Sequence, residues 1–210
     1  MSSPDPIRSA VADYYTAKVR EHGPTARGVD WNGAESQELR FAQLVRVAEH
    51  LDEPFSLLDY GCGYGALADW LDRRGTRVDY RGFDLSDDMV RLARERRPDA
   101  RVTAAEAELE PADVAVASGI FNVRLDVDHA RWATYVEDVI RTLDRLGRRG
   151  IAFNMLTSWS DPEYMRDDLF YGDPCAYFAL CKRELSRHVA LLHDYGLYEF
   201  TILVRKDGGG

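Results

Sequence analysis

The sequence has few of the features that would assign it to a specialised class of protein. It contains only three cysteines, Cys62, Cys175 and Cys181, an odd number without the C-x-x-C spacing of a metal or redox site. No apolar leader opens the chain, and no stretch approaches the roughly eighteen apolar residues of a membrane span. His, Cys, Asp and Glu nowhere show metal-ligand spacing. We therefore expect a cytoplasmic protein with reduced thiols and no metal centre.

Positive charge is also scarce relative to negative charge. The chain carries 27 lysine and arginine residues against 36 aspartate and glutamate residues, which gives a formal net charge of −9. A protein of this sign repels the phosphate backbone of nucleic acids and anionic lipid surfaces. We therefore expect neither nucleic acid nor a membrane as a partner, and the oligomeric state, monomer or homodimer, stays open.

The length and hydrophobic content are those of one domain. A chain of 210 residues with 45% hydrophobic residues can bury a sizeable core. We expect a single domain over residues 1–207 and a flexible tail at 208–210, where three glycines close the chain.

Apolar runs of strand length alternate with longer segments of helical period along the chain. The predicted strands are 55–59, 78–84, 101–105, 113–117, 150–156, 188–193 and 199–204. The predicted helices are 35–51, 66–74, 87–97, 129–146 and a helix from Pro174 through Leu185. Only five residues separate the last two strands, so these should pair as an antiparallel hairpin. The pattern predicts an α/β fold with a doubly wound, mostly parallel seven-stranded sheet, a C-terminal antiparallel hairpin and helices on both faces.

A glycine cluster follows the first predicted strand. Gly61, Gly63 and Gly65 allow a sharp turn and let a ligand approach the main chain. Asp84 ends the next strand, 23 positions after Gly61, where a carboxylate can accept hydrogen bonds from both hydroxyls of a ribose. Together these residues predict a nucleoside-binding pocket at the carboxyl edge of the sheet.

The same glycines leave an alternative open, because Gly61, Gly63 and Ala66 also match the G-x-G-x-x-G/A fingerprint of dinucleotide-binding proteins. Asp59 argues against it, since an acid two residues before the first glycine is unfavourable beside a pyrophosphate. The closing hairpin and the short chain, which leaves little room for a substrate domain, argue the same way. An NAD-dependent oxidoreductase is thus the less favoured interpretation.

The segments LLDYGCGYGALADWL and YRGFDLSDDMVRLAR resemble the first two signature motifs of the class I S-adenosylmethionine-dependent methyltransferases. The resemblance implies a methyltransferase that binds S-adenosylmethionine and releases S-adenosylhomocysteine. It places Gly61 and Gly63 against the methionine part and ribose, Asp59 near the ammonium group and Asp84 at the ribose hydroxyls. The cofactor-binding candidates on the two motifs are Asp59, Gly61, Cys62, Gly63, Asp84 and Leu85.

Further candidates come from the places where this family usually contacts its ligands. An acidic or polar residue after the third strand lies near the adenine amino group, and Glu106 is the best-placed candidate, although Glu108 and Glu110 share its acidic stretch. After the fourth strand, Ser118 falls at a cofactor position and Asn122 at an acceptor position. The Asn-Pro-Pro-Tyr signature of amino-group methylation on nucleic acids and proteins is missing there, which disfavours such a target without removing it.

The acceptor should lie between the N-terminal segment 1–34, which we expect to act as a lid, and the insertion 157–186. The candidate substrate-binding residues are Tyr14, Trp31, Asn122, Trp159 and Tyr171. Methyl transfer from a sulfonium is an in-line displacement in which alignment supplies much of the rate, so a base is optional. His22 or His193 could take a proton from the acceptor, and Tyr15 completes the catalytic candidates.

The favoured prediction is therefore methyl transfer to an oxygen or nitrogen of a small-molecule acceptor. A protein or nucleic-acid methyltransferase is the first alternative. Another use of the same cofactor, such as aminopropyl transfer, and a binding domain without catalysis also stay open.

Overall fold

The computed structural model of the protein describes residues 5–31 and 33–207. The predicted tail at 208–210 and the first four residues of the predicted lid lie outside the described residues.

Seven strands form one sheet in the order β3-β2-β1-β4-β5-β7-β6. The strands are β1 Phe55–Tyr60, β2 Val78–Phe83, β3 Arg101–Thr103, β4 Ala112–Ala117, β5 Gly147–Leu156, β6 His188–Leu192 and β7 Glu199–Arg205. Strands β1 to β5 pair in parallel, and β7 runs antiparallel to both β5 and β6. The predicted mostly parallel sheet with a C-terminal antiparallel hairpin is confirmed.

Helices cover both faces of this sheet. They are α1 Pro6–His22, α2 Ala34–Leu44, α3 Ala66–Arg73, α4 Asp87–Arg96, α5 His129–Leu146 and α6 Pro174–Glu184. Several begin where an acid or serine caps the first turn: the carboxylate of Asp128, for example, accepts hydrogen bonds from the N–H groups of Ala130 and Arg131 at the start of α5. Within the described residues, none of the helices combines the length and the apolar character needed to cross a membrane.

The helix predicted over 35–51 is shorter than expected. It ends at Leu44, and the chain continues as a tighter 3₁₀ turn over Val45–Ala48. β-Branched residues such as Val45 and Val47 lose side-chain freedom in an α-helix, which weakens the continuation. The turn also packs Val47 under the sheet, where a Cβ atom on Gly150 would lie 2.9 Å from the valine Cγ2.

The core lies in two layers, one on each face of the sheet. Leu57 and Leu58 are consecutive on β1, both have no exposed surface, and they belong to opposite layers. A strand buried on both faces is typical of a parallel sheet covered by helices. Because the centre of the sheet is closed in this way, its carboxyl edge is where the loops after β1, β2 and β4 can form a site.

Candidate functional site

The loop after β1 is fixed to the end of β2 by its backbone. The N–H groups of Gly61 and Cys62 both donate to the carbonyl oxygen of Phe83, at 2.7 and 2.9 Å. Gly61 and Gly63 have φ angles of +85° and +53°, in the left-handed region that favours glycine. A Cβ atom on Gly61 would lie 2.2 Å from Cγ2 of Ile120, so the turn also requires the absence of a side chain.

Asp84 ties this glycine loop to the residue that follows β2. Its Oδ2 accepts a hydrogen bond from the N–H of Gly63 at 2.8 Å, and its Oδ1 accepts one from the N–H of Ser86 at 2.9 Å. Desolvation raises the pKa of the Asp84 carboxyl to about 6, although both N–H groups favour the ionised form. The carboxylate therefore lies where the two strand ends meet.

Asp59 is a second carboxylate in the same place and is 2% exposed. The Tyr80 hydroxyl donates a hydrogen bond to its Oδ2 at 2.7 Å. Burial raises the pKa of Asp59 to about 7, the bond from Tyr80 lowers it, and the charge of Asp84 raises it further. The pKa values of both carboxyls lie close to neutral pH. A positively charged ligand is favoured beside them, because a cation stabilises the ionised form of each.

These residues surround a first cavity of about 840 Å³ of open space. The structure brings most of the predicted cofactor residues together in its lining. The sequence-predicted residues found there are Tyr15, Trp31, Asp59, Gly61, Cys62, Gly63, Asp84, Leu85 and Ser118. The Ser118 hydroxyl is buried and has no hydrogen-bond partner among the described residues, which marks it as a free polar contact for a ligand.

Helix α1 closes one side of the first cavity with Val11, Ala12 and Tyr15. Three side-chain contacts hold it against the loops and helix that follow β2 and β3. They join Arg8 to Glu106 at 2.7 Å, Thr16 to Ser86 at 2.6 Å and Arg20 to Asp88 at 2.6 Å.

Glu106 is thus engaged at the outer side of the first cavity. Its two carboxylate oxygens accept hydrogen bonds from Arg8 and from the hydroxyl of Tyr60. It lines a neighbouring cleft, and among the described residues of that cleft Tyr60 and Tyr135 also line the first cavity, whereas Glu106 does not. The structure therefore places the predicted adenine contact behind the cavity wall.

A second cavity of about 1310 Å³ of open space adjoins the first. Four residues line both: Tyr15, Val29, Trp31 and Gly119. The predicted substrate residues Asn122 and Tyr171 lie in the second cavity, with Asn122 Oδ1 accepting a hydrogen bond from the N–H of Leu156 at 3.0 Å. The shared wall gives this protein two adjoining compartments at the carboxyl edge of the sheet.

Trp31 in that wall is held on two sides. A Cβ atom on Gly119 would lie 2.1 Å from the indole Cζ2, so the ring rests directly on the glycine. On its other side the Arg40 guanidinium carbon lies 3.8 Å from the ring centroid. Arg40 Nε and Nη2 donate to the two carboxylate oxygens of Glu199, both at 2.7 Å, and both side chains are buried.

Arg40 and Glu199 lie 159 residues apart and are not among the site residues predicted from the sequence. Arg40 looks like part of the polar face of a helix, and Glu199 looks like the start of a strand. The only available signal was the presence of a charged residue in each of two elements that turn out to be buried.

Tyr15 is the one catalytic candidate that the structure places at the boundary of the two cavities. Burial, together with the nearby charge of Asp30, raises the pKa of its hydroxyl well above the usual range. The hydroxyl therefore stays protonated near neutral pH, and it can donate a hydrogen bond but not take a proton.

The remaining candidates lie outside both cavities. His22 ends α1 with its Nε2 3.6 Å from a carboxylate oxygen of Glu21, and His193 follows the edge strand β6 with its ring 6.3 Å from that of Phe200. Trp159 is 73% exposed on the insertion. The Tyr14 hydroxyl donates a hydrogen bond to Asp30 Oδ2 at 2.9 Å, and Lys18 Nζ lies 3.0 Å from Asp30 Oδ1.

Comparison with known sequences agrees with the geometry of the first cavity. The family model described as "Methyltransferase domain" matches residues 57–150. The chain is 56% identical over 165 residues to a protein named "Putative methyltransferase Rv1506c" from Mycobacterium tuberculosis (strain ATCC 25618 / H37Rv), a match covering 77% of this chain and 99% of that protein. It is 36% identical over 74 residues to trans-aconitate 2-methyltransferase of Rhodopseudomonas palustris (strain BisB18), covering 33% of this chain and 29% of that enzyme.

Solved structures share the fold at low sequence identity. Magnesium protoporphyrin IX methyltransferase from Synechocystis PCC 6803 with bound SAM superposes with a TM-score of 0.65 at 14% identity, covering 98% of this chain and all of that one. The plantazolicin methyltransferase BpumL in complex with SAH superposes with a TM-score of 0.57 at 12% identity, covering 97% and 92%. At such identities the likeness concerns the arrangement of strands and helices.

Proposed function

Because this chain belongs to the class I S-adenosylmethionine-dependent methyltransferases, we propose that it transfers a methyl group to an oxygen or nitrogen atom of a small-molecule acceptor. The observation that supports the proposal most is the pair of adjoining cavities that share Tyr15, Trp31 and Gly119. One cavity carries the family's motif residues, and the other has polar and aromatic walls suited to an organic acceptor. Two reactants can then meet across a common boundary.

The residues of the first cavity fit S-adenosylmethionine. When bound, this cofactor would supply a methyl group attached to a positively charged sulfur, and the sulfur would be the leaving group when an acceptor atom attacks the methyl carbon in line. The carboxylates of Asp59 and Asp84 suit its ammonium group and ribose hydroxyls, and the free Ser118 hydroxyl adds a further hydrogen bond. The turn at Gly61 packs so closely on Ile120 that no side chain fits between them.

In the second cavity, we assign the orientation of the acceptor to Tyr15 and Asn122. Tyr15 stays protonated and can donate to an acceptor oxygen or nitrogen, while the Asn122 amide faces the same space. We assign the proton released by a hydroxyl or ammonium group to no side chain, because Asp30, which also lines this cavity, is already bound by Tyr14 and Lys18. Glu199 is already committed to Arg40, and His22 and His193 lie too far out for this task.

Alignment carries most of the rate in this scheme. An in-line displacement with a good leaving group needs the acceptor atom at near-attack distance more than it needs acid or base catalysis. Trp31, fixed between Gly119 and Arg40, supplies a rigid wall beside which the two reactants align.

The acceptors named for related enzymes are compatible with this proposal. Magnesium protoporphyrin IX and plantazolicin are the substrates named for two structural neighbours, and trans-aconitate is named for a sequence relative. The net charge of −9 further supports an acceptor that is not a nucleic acid. The three free thiols are those expected in a reducing compartment, which supports our expectation of a cytoplasmic protein.

Tritiated S-adenosylmethionine tests the proposal. The purified protein is incubated with the cofactor and, separately, with the ultrafiltrate, the protein fraction and the nucleic-acid fraction of a bacterial extract. We expect label to be transferred to the ultrafiltrate alone, and the Asp84→Ala protein to transfer less label at a subsaturating concentration of the cofactor. Label in the protein or nucleic-acid fraction would contradict the small-molecule acceptor while leaving the family assignment intact.

A further inference from the structure

Large apolar and aromatic side chains are exposed on one part of the described surface. They are Trp159, Tyr164, Met165 and Tyr198, with exposed fractions of 73%, 64%, 39% and 43%. Isolated exposed hydrophobic residues are common on proteins, but a concentration of them on one surface indicates binding. Here three of the four fall within seven residues of the insertion between β5 and α6.

Direct contacts join this insertion to the turn that carries the fourth residue. The rings of Tyr164 and Tyr198 lie 5.8 Å apart, and the Tyr198 hydroxyl donates to Asp161. The N–H of Thr157 donates to the carbonyl oxygen of Tyr198 at 3.0 Å. We call the surface formed by Trp159, Tyr164, Met165 and Tyr198 the aromatic rim.

The aromatic rim is continuous with the second cavity. Tyr164 and Tyr198 line the cavity and are also exposed at its mouth. A molecule that fills the cavity and is longer than it must therefore lie across these two rings. No rim residue lines the first cavity, so the rim belongs to the acceptor side of the site.

Charge on the insertion restricts what can lie there. Residues 157–173 contain one basic residue, Arg166, and five acidic ones: Asp161, Glu163, Asp167, Asp168 and Asp173. The guanidinium of Arg166 is paired with Asp168, so it is not free for an anion. A carboxylate- or phosphate-bearing occupant, an anionic lipid surface included, would be repelled.

We propose that the acceptor is longer than its cavity and carries an apolar or aromatic portion, neutral or cationic, that stacks on the aromatic rim. The inference rests on the proposed function, since it treats the second cavity as the acceptor site. It narrows the acceptor from any small molecule to an elongated one without negative charge at the end remote from the methylated atom.

Two dansyl probes test the proposal, because they share one fluorophore and differ in charge. Dansylcadaverine ends in an ammonium group and dansylglycine in a carboxylate. We expect the S-adenosylhomocysteine-bound protein to bind dansylcadaverine with a blue shift of its emission, and dansylglycine at least about tenfold more weakly. Equal binding of the two probes, or binding of neither, would overturn the proposal.

Substitutions locate the binding. Trp159→Ser and Tyr164→Ser should each weaken dansylcadaverine binding by about tenfold, the loss expected for removing one stacking ring. Because both side chains are largely exposed, the fold and the affinity for S-adenosylhomocysteine should not change. Glu163→Gln should reduce the preference for the cationic probe, whereas Glu95→Gln on α4 should not. Unchanged probe binding in the two serine variants would show that the aromatic rim is not part of the acceptor site.

Sedimentation of the same proteins tests whether a second copy of the chain, instead of the acceptor, covers the aromatic rim. If the rim instead joins two copies of the chain, the wild type will form a dimer that Trp159→Ser and Tyr164→Ser dissociate, and this outcome would overturn the proposal. Titration with S-adenosylhomocysteine distinguishes failure of this inference from failure of the proposed function. If the protein binds this ligand but neither probe, the role of the aromatic rim is contradicted and the proposed function is not. If the protein does not bind this ligand, the proposed function is contradicted.

Discussion

At the scale of single residues, Asp59 combines deep burial with little stabilisation of its charge. Its carboxylate is 2% exposed and has one hydrogen-bond donor, Tyr80, in contact. A buried acid with so little compensation destabilises the folded chain when it ionises, and burial therefore raises its pKa to about 7. Such strain is typical of a functional position, where the bound ligand supplies the missing partner.

This raised pKa predicts how stability depends on pH. An acid with a higher pKa in the folded than in the unfolded chain stabilises the fold below its unfolded pKa, near 4, and this contribution is lost as pH rises through the folded pKa of about 7. Asp59→Asn removes this loss of stability at high pH, because an asparagine side chain does not ionise. Relative to wild type, the variant should therefore gain about 2–3 kcal/mol in free energy of unfolding between pH 5 and pH 8, measured by urea titration without ligand.

Asp113→Asn is the matched control for that measurement. The Ser56 and Arg148 hydrogen bonds outweigh desolvation and lower the pKa of Asp113 to about 2, so this residue is ionised across the whole range. Its effect on stability should be the same at pH 5 and pH 8. A pH-independent effect of Asp59→Asn as well would show that Asp59 is ionised throughout.

At the scale of elements, α1 forms one wall of the first cavity, and we propose that it acts as a lid. It contributes Val11, Ala12 and Tyr15 to the lining, buries Ile7 and Val11 in the core, and contacts the segments after β2 and β3 through its polar side chains. A lid of this kind must open before a cofactor in the cavity can exchange with solvent. The rate of exchange should then depend on contacts that do not touch the cofactor.

Loosening α1 should speed the release of S-adenosylhomocysteine. Arg8→Met breaks the contact with Glu106, and Thr16→Val breaks the contact with Ser86. We expect the double variant to release this ligand about tenfold faster in stopped-flow displacement. This is the effect of lowering the free energy that holds α1 closed by roughly 1.4 kcal/mol. Arg91→Met, which breaks an exposed pair with Glu95 within α4, is the control and should leave the rate unchanged. An unchanged rate in the double variant would mean that the ligand leaves by another path.

The elements themselves were largely predictable, because each carries a local signal. Helix α5 has the predicted bounds, 129–146, and in the structure Asp128 caps its start. The glycine loop and Asp84 follow consecutive strands, and parallel strands bring such residues to one edge whatever the rest of the chain does. Helix α2 was overextended because Val47 and Leu51 continued its apolar stripe, and only the sheet packing shows the 3₁₀ turn.

At the scale of the whole molecule, the Arg40–Glu199 pair joins α2 to β7 and fixes Trp31 between the two cavities. No local pattern could predict this contact, because it depends on where residues 159 positions apart meet after folding. The same limitation applies to the histidines: His193 has suitable chemistry, but β6 is the edge strand and carries it away from the cavities. Sequence indicated the cofactor side of the site, which is built from local motifs, better than the acceptor side.

Breaking the pair at one end should be costly. Glu199→Ala leaves the Arg40 charge buried without its partner, which typically costs about 3–5 kcal/mol in free energy of unfolding. Glu38→Ala, which breaks the exposed pair with Arg73, should cost less than about 1 kcal/mol. Urea unfolding monitored by circular dichroism measures both. Similar small effects for the two variants would show that Arg40 and Glu199 do not depend on each other.

The most direct test of the account is calorimetric titration of the wild-type and Asp84→Ala proteins with S-adenosylhomocysteine and, separately, with NAD. We predict that the wild type binds S-adenosylhomocysteine with an affinity on the order of micromolar and does not bind NAD, and that Asp84→Ala weakens the binding by about 1–3 kcal/mol because ribose hydroxyls lose their partner. Binding of NAD in place of S-adenosylhomocysteine, or equal affinities for the two proteins, would contradict the assignment of the first cavity.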